Sequence, residues 1–513
     1  MIKMTGEFAY LNYTPPPVKR IYTAADIFIS FVSFALGYLF IKWVLDSTLG
    51  LGAFLFTVIL IAVSMCYLAA KKIKLTLNSL IFISITLVFS SVFILSSNSF
   101  IKGLVIMYVI LSSMYWFYFT CNNADECAVN DMFVFYFIKS VLIMPISCCF
   151  YIYEAFIKIF TRRKPSKKVG YIILGILCAV IPSIIIINLL MSADEMFNKM
   201  MQNITNWQLF SFADIGIDIF YFIVGIPVAM YVFGTLYSNS EHMHGKVLSR
   251  EMNEDITRKL KFTPQLIVYT AVTPICLIYV LFFISQSAYF LSAFSNVVPM
   301  GFTYAEYARR GFFELCTVSV INACIIAFIT VVTKESTVKK FNALNVYTIA
   351  IAVFTLLLIG TALSKMFMYI NAYGLTLLRV YTSWFMIFLA CVFVLVIIRQ
   401  FVRTKKFNFF LIVFIIFVIL FSVLIFCDID AVIAQYNIEN FNNGNLESID
   451  YYMVIFELSD SAVEYVLPVV YDAPEFMELL ELRYSHAAKM KTDWRNFNFA
   501  TYKAMQIIKD VYH

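Results

Sequence analysis

Charge is scarce in this chain. Asp, Glu, Lys and Arg make up 14% of its 513 residues, against about 25% in soluble domains, which excludes a water-soluble globular fold. Histidine is rarer still, at four residues. Two of them, His242 and His244, are separated by Met243 alone in a polar loop without a nearby cysteine, so no metal centre is expected. No Gly-rich phosphate loop, nucleophile elbow or zinc-protease helix motif is present. An ATP-driven engine is therefore not expected on this chain, and no catalytic residue, cofactor or nucleic-acid partner is assigned. Cysteine is missing after Cys427, so the last part of the chain must fold without disulfides.

What fills the chain is apolar: 62% of residues are hydrophobic and the mean hydropathy is +0.84. Eleven runs each supply about 18 or more nearly uncharged residues, enough to cross a ~30 Å hydrocarbon core. They cover 27–45, 51–70, 75–95, 103–121, 169–191, 219–237, 264–283, 312–332, 346–363, 380–398 and 409–426. Continuous runs rather than ten-residue alternation exclude a barrel. The expected fold is an all-α, polytopic membrane helix bundle, with a cytoplasmic segment at 1–26, a transmembrane domain at 27–427 and an exported helical tail at 428–513. The first run has no small-residue cleavage site and reads as a retained signal anchor.

Basic flanks resist translocation. With the N-terminus inside, 25 of the 38 Lys and Arg lie on the cytoplasmic side, 7 on the opposite side and 6 after the last span. The count therefore predicts an inside N-terminus and, with eleven spans, a C-terminus outside. The segment 131–160 resists assignment as a span. Its apolar stretch is short, is broken by Pro145 and is flanked by Lys139, Glu154 and Lys158. Crossing there would export Arg162, Arg163, Lys164, Lys167 and Lys168, so it reads as an interfacial or re-entrant helix on the cytoplasmic face.

The tail carries 14 acidic residues against 6 basic, a net charge of −8, while the rest of the chain is at +14. It reads as short helices. Ser461 and Glu464 form a capping box, Asp472 precedes Pro474, and Thr492-Asp493 precede Trp494. A tail of this size is expected to rest on the outer ends of the spans. Its acidic surplus could meet a basic partner such as an envelope protein, or be no more than a solvated surface.

Ionisable groups in the outer half of the membrane region are costly unless paired or facing water. Glu306, Arg310 and Glu314 fall on one helical face at i,i+4 spacing, with Arg309 beside them. Lys365 and Arg379 lie at outer span ends, and Asp194, Glu195, Asp214 and Asp218 border the fifth and sixth spans. Two readings stay open. In one, Arg309, Arg310, Arg379 and Lys365 grip an anionic lipid or cell-wall precursor, with Glu306, Glu314, Asp194 and Asp218 orienting them. In the other, the charges pair among themselves and tie helix ends together. Pro182, Pro227 and Pro274 fall near the middle of three consecutive spans, where proline kinks a helix. Asp428-Ile-Asp430 has the acidic pattern of membrane glycosyltransferases, but it also fits a helix cap. Asn203-Ile-Thr205 matches a glycosylation acceptor formally.

Four motifs resemble a family. Ser192-Ala-Asp-Glu-Met-Phe197, Tyr307-Ala-Arg-Arg-Gly-Phe-Phe-Glu-Leu315, Tyr373-Gly-Leu-Thr-Leu-Leu-Arg379 and Asp430-Ala-Val-Ile-Ala-Gln-Tyr-Asn-Ile438 run in the order seen in certain bacterial multi-pass membrane proteins. These are catalogued as domain of unknown function forty-one seventy-three, related to forty-one fifty-three. The resemblance covers roughly 169–513 and implies a bacterial plasma-membrane protein with no established reaction. Gln435 stands where a basic residue is common in that pattern, and the N-terminal third resembles nothing by motif.

Overall fold

The computed structural model describes residues 22–122, 133–158, 194–205, 213–241, 263–294, 312–333, 343–402, 407–471 and 493–512, with shorter pieces at 129, 175, 186, 190–192, 261, 477–480 and 483–484. No strand occurs among the described residues; one isolated bridge joins Thr263 and Thr333. The helices are α1 (Ala24–Leu45), α2 (Leu51–Ala70), α3 (Leu77–Leu95), α4 (Ser99–Asn122), α5 (Phe133–Cys148), α6 (Tyr151–Ile157), α7 (Glu195–Thr205) and α8 (Ala213–Ser240). They continue as α9 (Gln265–Phe294), α10 (Phe312–Val332), α11 (Ala343–Tyr373), α12 (Leu377–Phe401), α13 (Phe409–Phe426), α14 (Ile429–Asn442), α15 (Val463–Tyr471) and α16 (Phe499–Tyr512).

Ten of these are long and apolar enough to cross a membrane: α1 to α4 and α8 to α13. The chain is a multi-pass membrane protein, and ten of the eleven expected spans are matched; the eleventh, 169–191, lies almost wholly outside the described residues. Polar residues set several starts. Thr23 caps α1 in a reciprocal box with Asp26, Thr76 caps α3, and Asn408 caps α13 by accepting from the Leu411 N–H at 3.1 Å, each satisfying an otherwise orphaned donor. α11 outruns its expected boundary. Apolar residues resume after Lys365, with Met366 and Met368 buried, so the helix continues to Tyr373 and reaches about 46 Å at 1.5 Å per residue.

Two groups of helices form. α9, α10, α11 and α12 share one apolar core, crossed by a polar tie through Asn322. Tyr279 donates to Asn322 Oδ1 at 2.5 Å and Asn322 donates to Thr355 at 2.8 Å, linking α9, α10 and α11. The other group is built on α1 to α4 and α8, with two cores at its opposite ends. α1 and α8 cross where Gly37 meets Gly225. A Cβ on Gly225 would lie 2.7 Å from the Gly37 carbonyl, so only glycine lets these backbones approach this closely.

α5 and α6 bend by 45° at their break and pack beside the C-terminal half of α8. Tyr231 donates to the Val141 carbonyl at 2.5 Å, Gly234 lies against the Pro145 carbonyl, and Tyr22, just ahead of α1, donates to Glu154 at 2.9 Å. At this same end Asp26, fully buried, accepts from Tyr67 and from Lys71, both at 2.7 Å. Lys71 also pairs with Glu241. A buried carboxylate is tolerable only with such partners, and this one ties α1, α2 and the end of α8 together.

Adding a methyl group at Gly225 overpacks the crossing. Gly225→Ala is expected to cost about 1–3 kcal/mol and to lower the Tm of the detergent-solubilised protein. Gly360→Ala, where nothing lies within 4 Å, should leave Tm unchanged or raise it. Equal melting of the two variants would show that the crossing is not close-packed.

Candidate functional site

The turns 46–50, 96–98 and 374–376 and the start of the tail at Asp428 share one end of the molecule, because the tail contacts each of them. The turns 46–50 and 374–376 are too short to satisfy their own backbone, so the tail does it; at 96–98 the tail meets the side chains of Ser97 and Asn98. The Leu51 N–H, an orphan at the start of α2, donates to the Phe497 carbonyl at 3.0 Å, and the Thr48 N–H donates to Asn496 at 2.9 Å. Gly374 adopts a left-handed φ of 75°, which carries the chain from α11 to α12 under Asn437. Asn437 accepts from the Leu375 N–H at 2.7 Å and donates back to the Leu375 carbonyl at 2.8 Å.

Asp430 is the centre of this junction, only 1% exposed. It accepts from Asn98 at 2.6 Å and from the Ser459 N–H at 2.9 Å. Asn98 also donates to the Tyr381 hydroxyl at 3.0 Å, so one amide connects α4, α12 and the tail. Asp460 anchors a second layer: its N–H donates to Ser97 at 3.0 Å, while its carboxylate accepts from Arg483 at 3.0 Å, Tyr484 at 2.8 Å and Thr501 at 2.5 Å. Lys102, 2% exposed, donates to the Thr48 carbonyl at 3.1 Å and lies within the field of Asp460. At the edge, Arg495 donates to the Lys42 carbonyl at 2.5 Å, pairs with Asp493, and lies 3.6 Å from Asp46.

Burial pushes the Asp430 carboxyl above the ordinary carboxylate value, against its hydrogen bonds from Asn98 and Ser459. Asp493 is shifted the other way, held low by the guanidinium of Arg495. Burial, followed by the charge of Asp460, pushes the Tyr484 hydroxyl up. Among the described residues no group of three or more His, Cys, Asp or Glu could hold a metal ion. The carboxylates of the junction are each engaged in docking, which is an adhesive arrangement.

The residues singled out from sequence fall in several places. Asp218 pairs with Lys42 at 2.8 Å and accepts from Tyr38 at 2.8 Å, binding α8 to α1. Arg379 donates to the Tyr373 carbonyl at 3.1 Å and to the Gly374 carbonyl, and stacks 4.0 Å above the Tyr369 ring; it closes the end of α11. Lys365 is half-buried, with exposed Glu314 of α10 in electrostatic reach. Asp194 caps α7, accepting from the Phe197 N–H at 2.6 Å. Pro227 and Pro274 lie inside α8 and α9. Glu306, Arg309, Arg310, Pro182, Asp214, His242 and His244 lie outside the residues whose side chains are described.

Two local expectations change. Ser461 does not cap a helix with Glu464. It sits inside a 3₁₀ turn and donates to Asp428 at 2.5 Å, while Glu464 pairs with Lys503 at 2.5 Å. Asp428 occupies a cap position without capping, because Ser461 engages its carboxylate. Asp493 does cap its turn, accepting from the Arg495 N–H at 3.0 Å. Sequence pattern alone does not mark Asn98 or Lys102: Lys102 stands just ahead of the run 103–121, where a lysine is ordinary.

A family model described as Domain of unknown function (DUF4153) matches residues 82–468, and no curated protein and no solved structure matches. Of the two families that the motifs resemble, the match supports forty-one fifty-three alone. It also extends the likeness back over 82–168, where no motif had shown one.

Removing the carboxylate at the centre strands the Asn98 amide and the Ser459 N–H. Asp430→Ala is expected to cost roughly 1–3 kcal/mol of docking, seen as faster hydrogen exchange over 429–471; unchanged exchange would overturn the assignment. The sign of the pH effect follows from the raised value. The folded state holds its proton to higher pH than the unfolded chain, so docking is strongest below the ordinary carboxylate value and weakens as pH rises through the folded value. Asp430→Asn should flatten the part of the exchange profile that lies above the ordinary carboxylate value.

Proposed function

The chain belongs to the family described as Domain of unknown function (DUF4153), a name that carries no reaction, and on that premise we propose that it is a non-enzymatic scaffold of a bacterial plasma membrane whose C-terminal domain presents acidic groups to a basic envelope partner. The observation that carries this reading is the division of labour among the tail's acids. Asp430 and Asp460 are turned inward to the junction, whereas Glu447, Asp450, Glu457, Glu478 and Asp510 are exposed. The Lys and Arg count supports placing this end outside the cell, with the N-terminus and α5–α6 at the cytoplasmic face. A docked platform of net negative charge attracts cationic partners over about a Debye length.

A second reading keeps an anionic lipid or cell-wall precursor as the ligand of Arg309, Arg310, Arg379 and Lys365. What favours it is the position of Lys365, half-buried on α11 near the same end as Arg379 and in electrostatic reach of Glu314. Native mass spectrometry of gently extracted protein separates the two: an anionic adduct present in the wild type and lost in Lys365→Ala supports this reading.

The scaffold reading is tested with the triple variant Glu447→Gln, Asp450→Asn, Glu457→Gln. Zero-length carboxylate-to-amine cross-linking in intact membranes should give a partner adduct on the wild-type tail that weakens with salt. The variant should lose most of it while melting at the wild-type temperature. An adduct equal in both proteins would sink the proposal.

A further inference from the structure

α1, α2, α4 and α8 leave between them a cavity of about 330 Å³. An apolar void of about 150 Å³ already takes up benzene, and ligand pockets begin near 300 Å³. The cavity is a slot. Its lining runs on α2 from Phe56 to Ser64 and on α8 from Pro227 to Leu236, which is about 12 Å and about 13 Å along the helix axes at 1.5 Å per residue. Pro227 is exposed and Tyr231 half-exposed, so the slot is open on its α8 side, at the depth where the surroundings are hydrocarbon.

Its few polar groups are nearly all engaged by the protein. Ser64 donates to the Leu60 carbonyl at 2.8 Å, Thr235 to the Tyr231 carbonyl at 2.9 Å and Tyr231 to the Val141 carbonyl at 2.5 Å. Ser113 is the exception. It lines the slot, is 9% exposed, and its hydroxyl has no hydrogen-bond partner. Other hydroxyls bond the carbonyl one turn back, as Thr57 and Thr86 do; Ser33, Tyr108 and Ser238 are likewise without a hydrogen-bond partner but do not line the slot. A buried hydroxyl left unpaired is costly, and so is a void of this size in a packed interior.

We propose that this slot binds a single-chain lipid, acyl or isoprenoid, that lies along the helix axes and accepts a hydrogen bond from Ser113 through an oxygen atom. The slot takes up part of an extended chain, the remainder of which can leave by the open side. Its apolar walls select hydrocarbon, its open side faces the phase from which such a chain can enter, and Ser113, whose oxygen is enclosed at the wall, supplies the polar contact by turning about its Cα–Cβ bond. This site is separate from the tail junction and does not depend on how the tail is used.

The test uses the full-length protein in detergent micelles. It is photolabelled in one arm with palmitate carrying a chain diazirine and in another with a diazirine analogue of geranylgeraniol, and the label is mapped by peptide mass spectrometry. Label is expected at Met114 and Tyr231. Val228→Trp, which fills the slot, should reduce it by about tenfold, and Ser113→Ala severalfold, with label at the exposed Leu281 and Ile284 of α9 unchanged. Preference for one probe identifies the chain as acyl or isoprenoid. Slot labelling no greater than that on α9, or undiminished in both variants, overturns the proposal. Ser113→Ala removes a single oxygen atom and so decides the matter even if the tryptophan variant fails to fold.

Discussion

A polar group taken out of water inside a bilayer must find its partner within the protein, and this constraint organises both ends and the middle of the molecule. At one end Asp26 is buried because Lys71, Tyr67 and Thr23 surround it. In the interior Asn322 is tolerated because Tyr279 and Thr355 take up its oxygen and its amide. At the other end the turns 46–50 and 374–376 leave backbone groups that the tail satisfies, and the side chains of Ser97 and Asn98 bond the tail in return. The tail is thus a structural complement of the spans, and its own core is continuous with theirs: Ile433, Val454, Leu458 and Val466 share a cluster with Phe89, Phe93 and Phe421.

That continuity explains why a marginal domain of this size can be ordered without disulfides. It shares an apolar cluster with the bundle, and its polar anchors add direction. Asp430 fixes where α14 begins relative to α4, Asn437 fixes the α11–α12 turn, and Arg495 fixes the end of α1. With three anchors on different helices the tail has one orientation, so the exposed acids of 447–457 are held on a fixed surface. The scaffold proposed above requires that rigidity; a flexible acidic segment would lose affinity to the ordering of its own chain.

Packing along α8 has the opposite character. At Gly225 two backbones come as close as glycine allows, while two residues on Pro227 borders an open slot. Close contact on one face and a gap at its neighbour follow from small residues placed next to a proline, since proline removes an N–H and its ring holds off the preceding turn. The same helix therefore locks to α1 and leaves room beside α2 and α4.

Most of the architecture was legible in the residues. Apolar run length reports the need to cross hydrocarbon, so ten spans appear where the runs stand, and Thr-Asp ahead of Trp494 marked a turn whose Asp493 caps it. Helix length beyond the bilayer was not legible, because Lys365 interrupts the hydropathy of α11 without interrupting its helix. The site was legible only as residue types. Asp428, Asp430, Asp218 and Arg379 stood out as ionisable groups near span ends, but the partner of each could not be read: Asn98 and Asp430 are 332 positions apart, and Ser461 turned to Asp428 although its local spacing favoured Glu464. The sequence by itself determined the solvent, the spans and the surplus of acid in the tail, because these follow from composition and local periodicity. Only the tertiary structure decided which polar groups meet, which acids are buried and where a slot remains, because pairing depends on helices brought together by packing that no local pattern encodes.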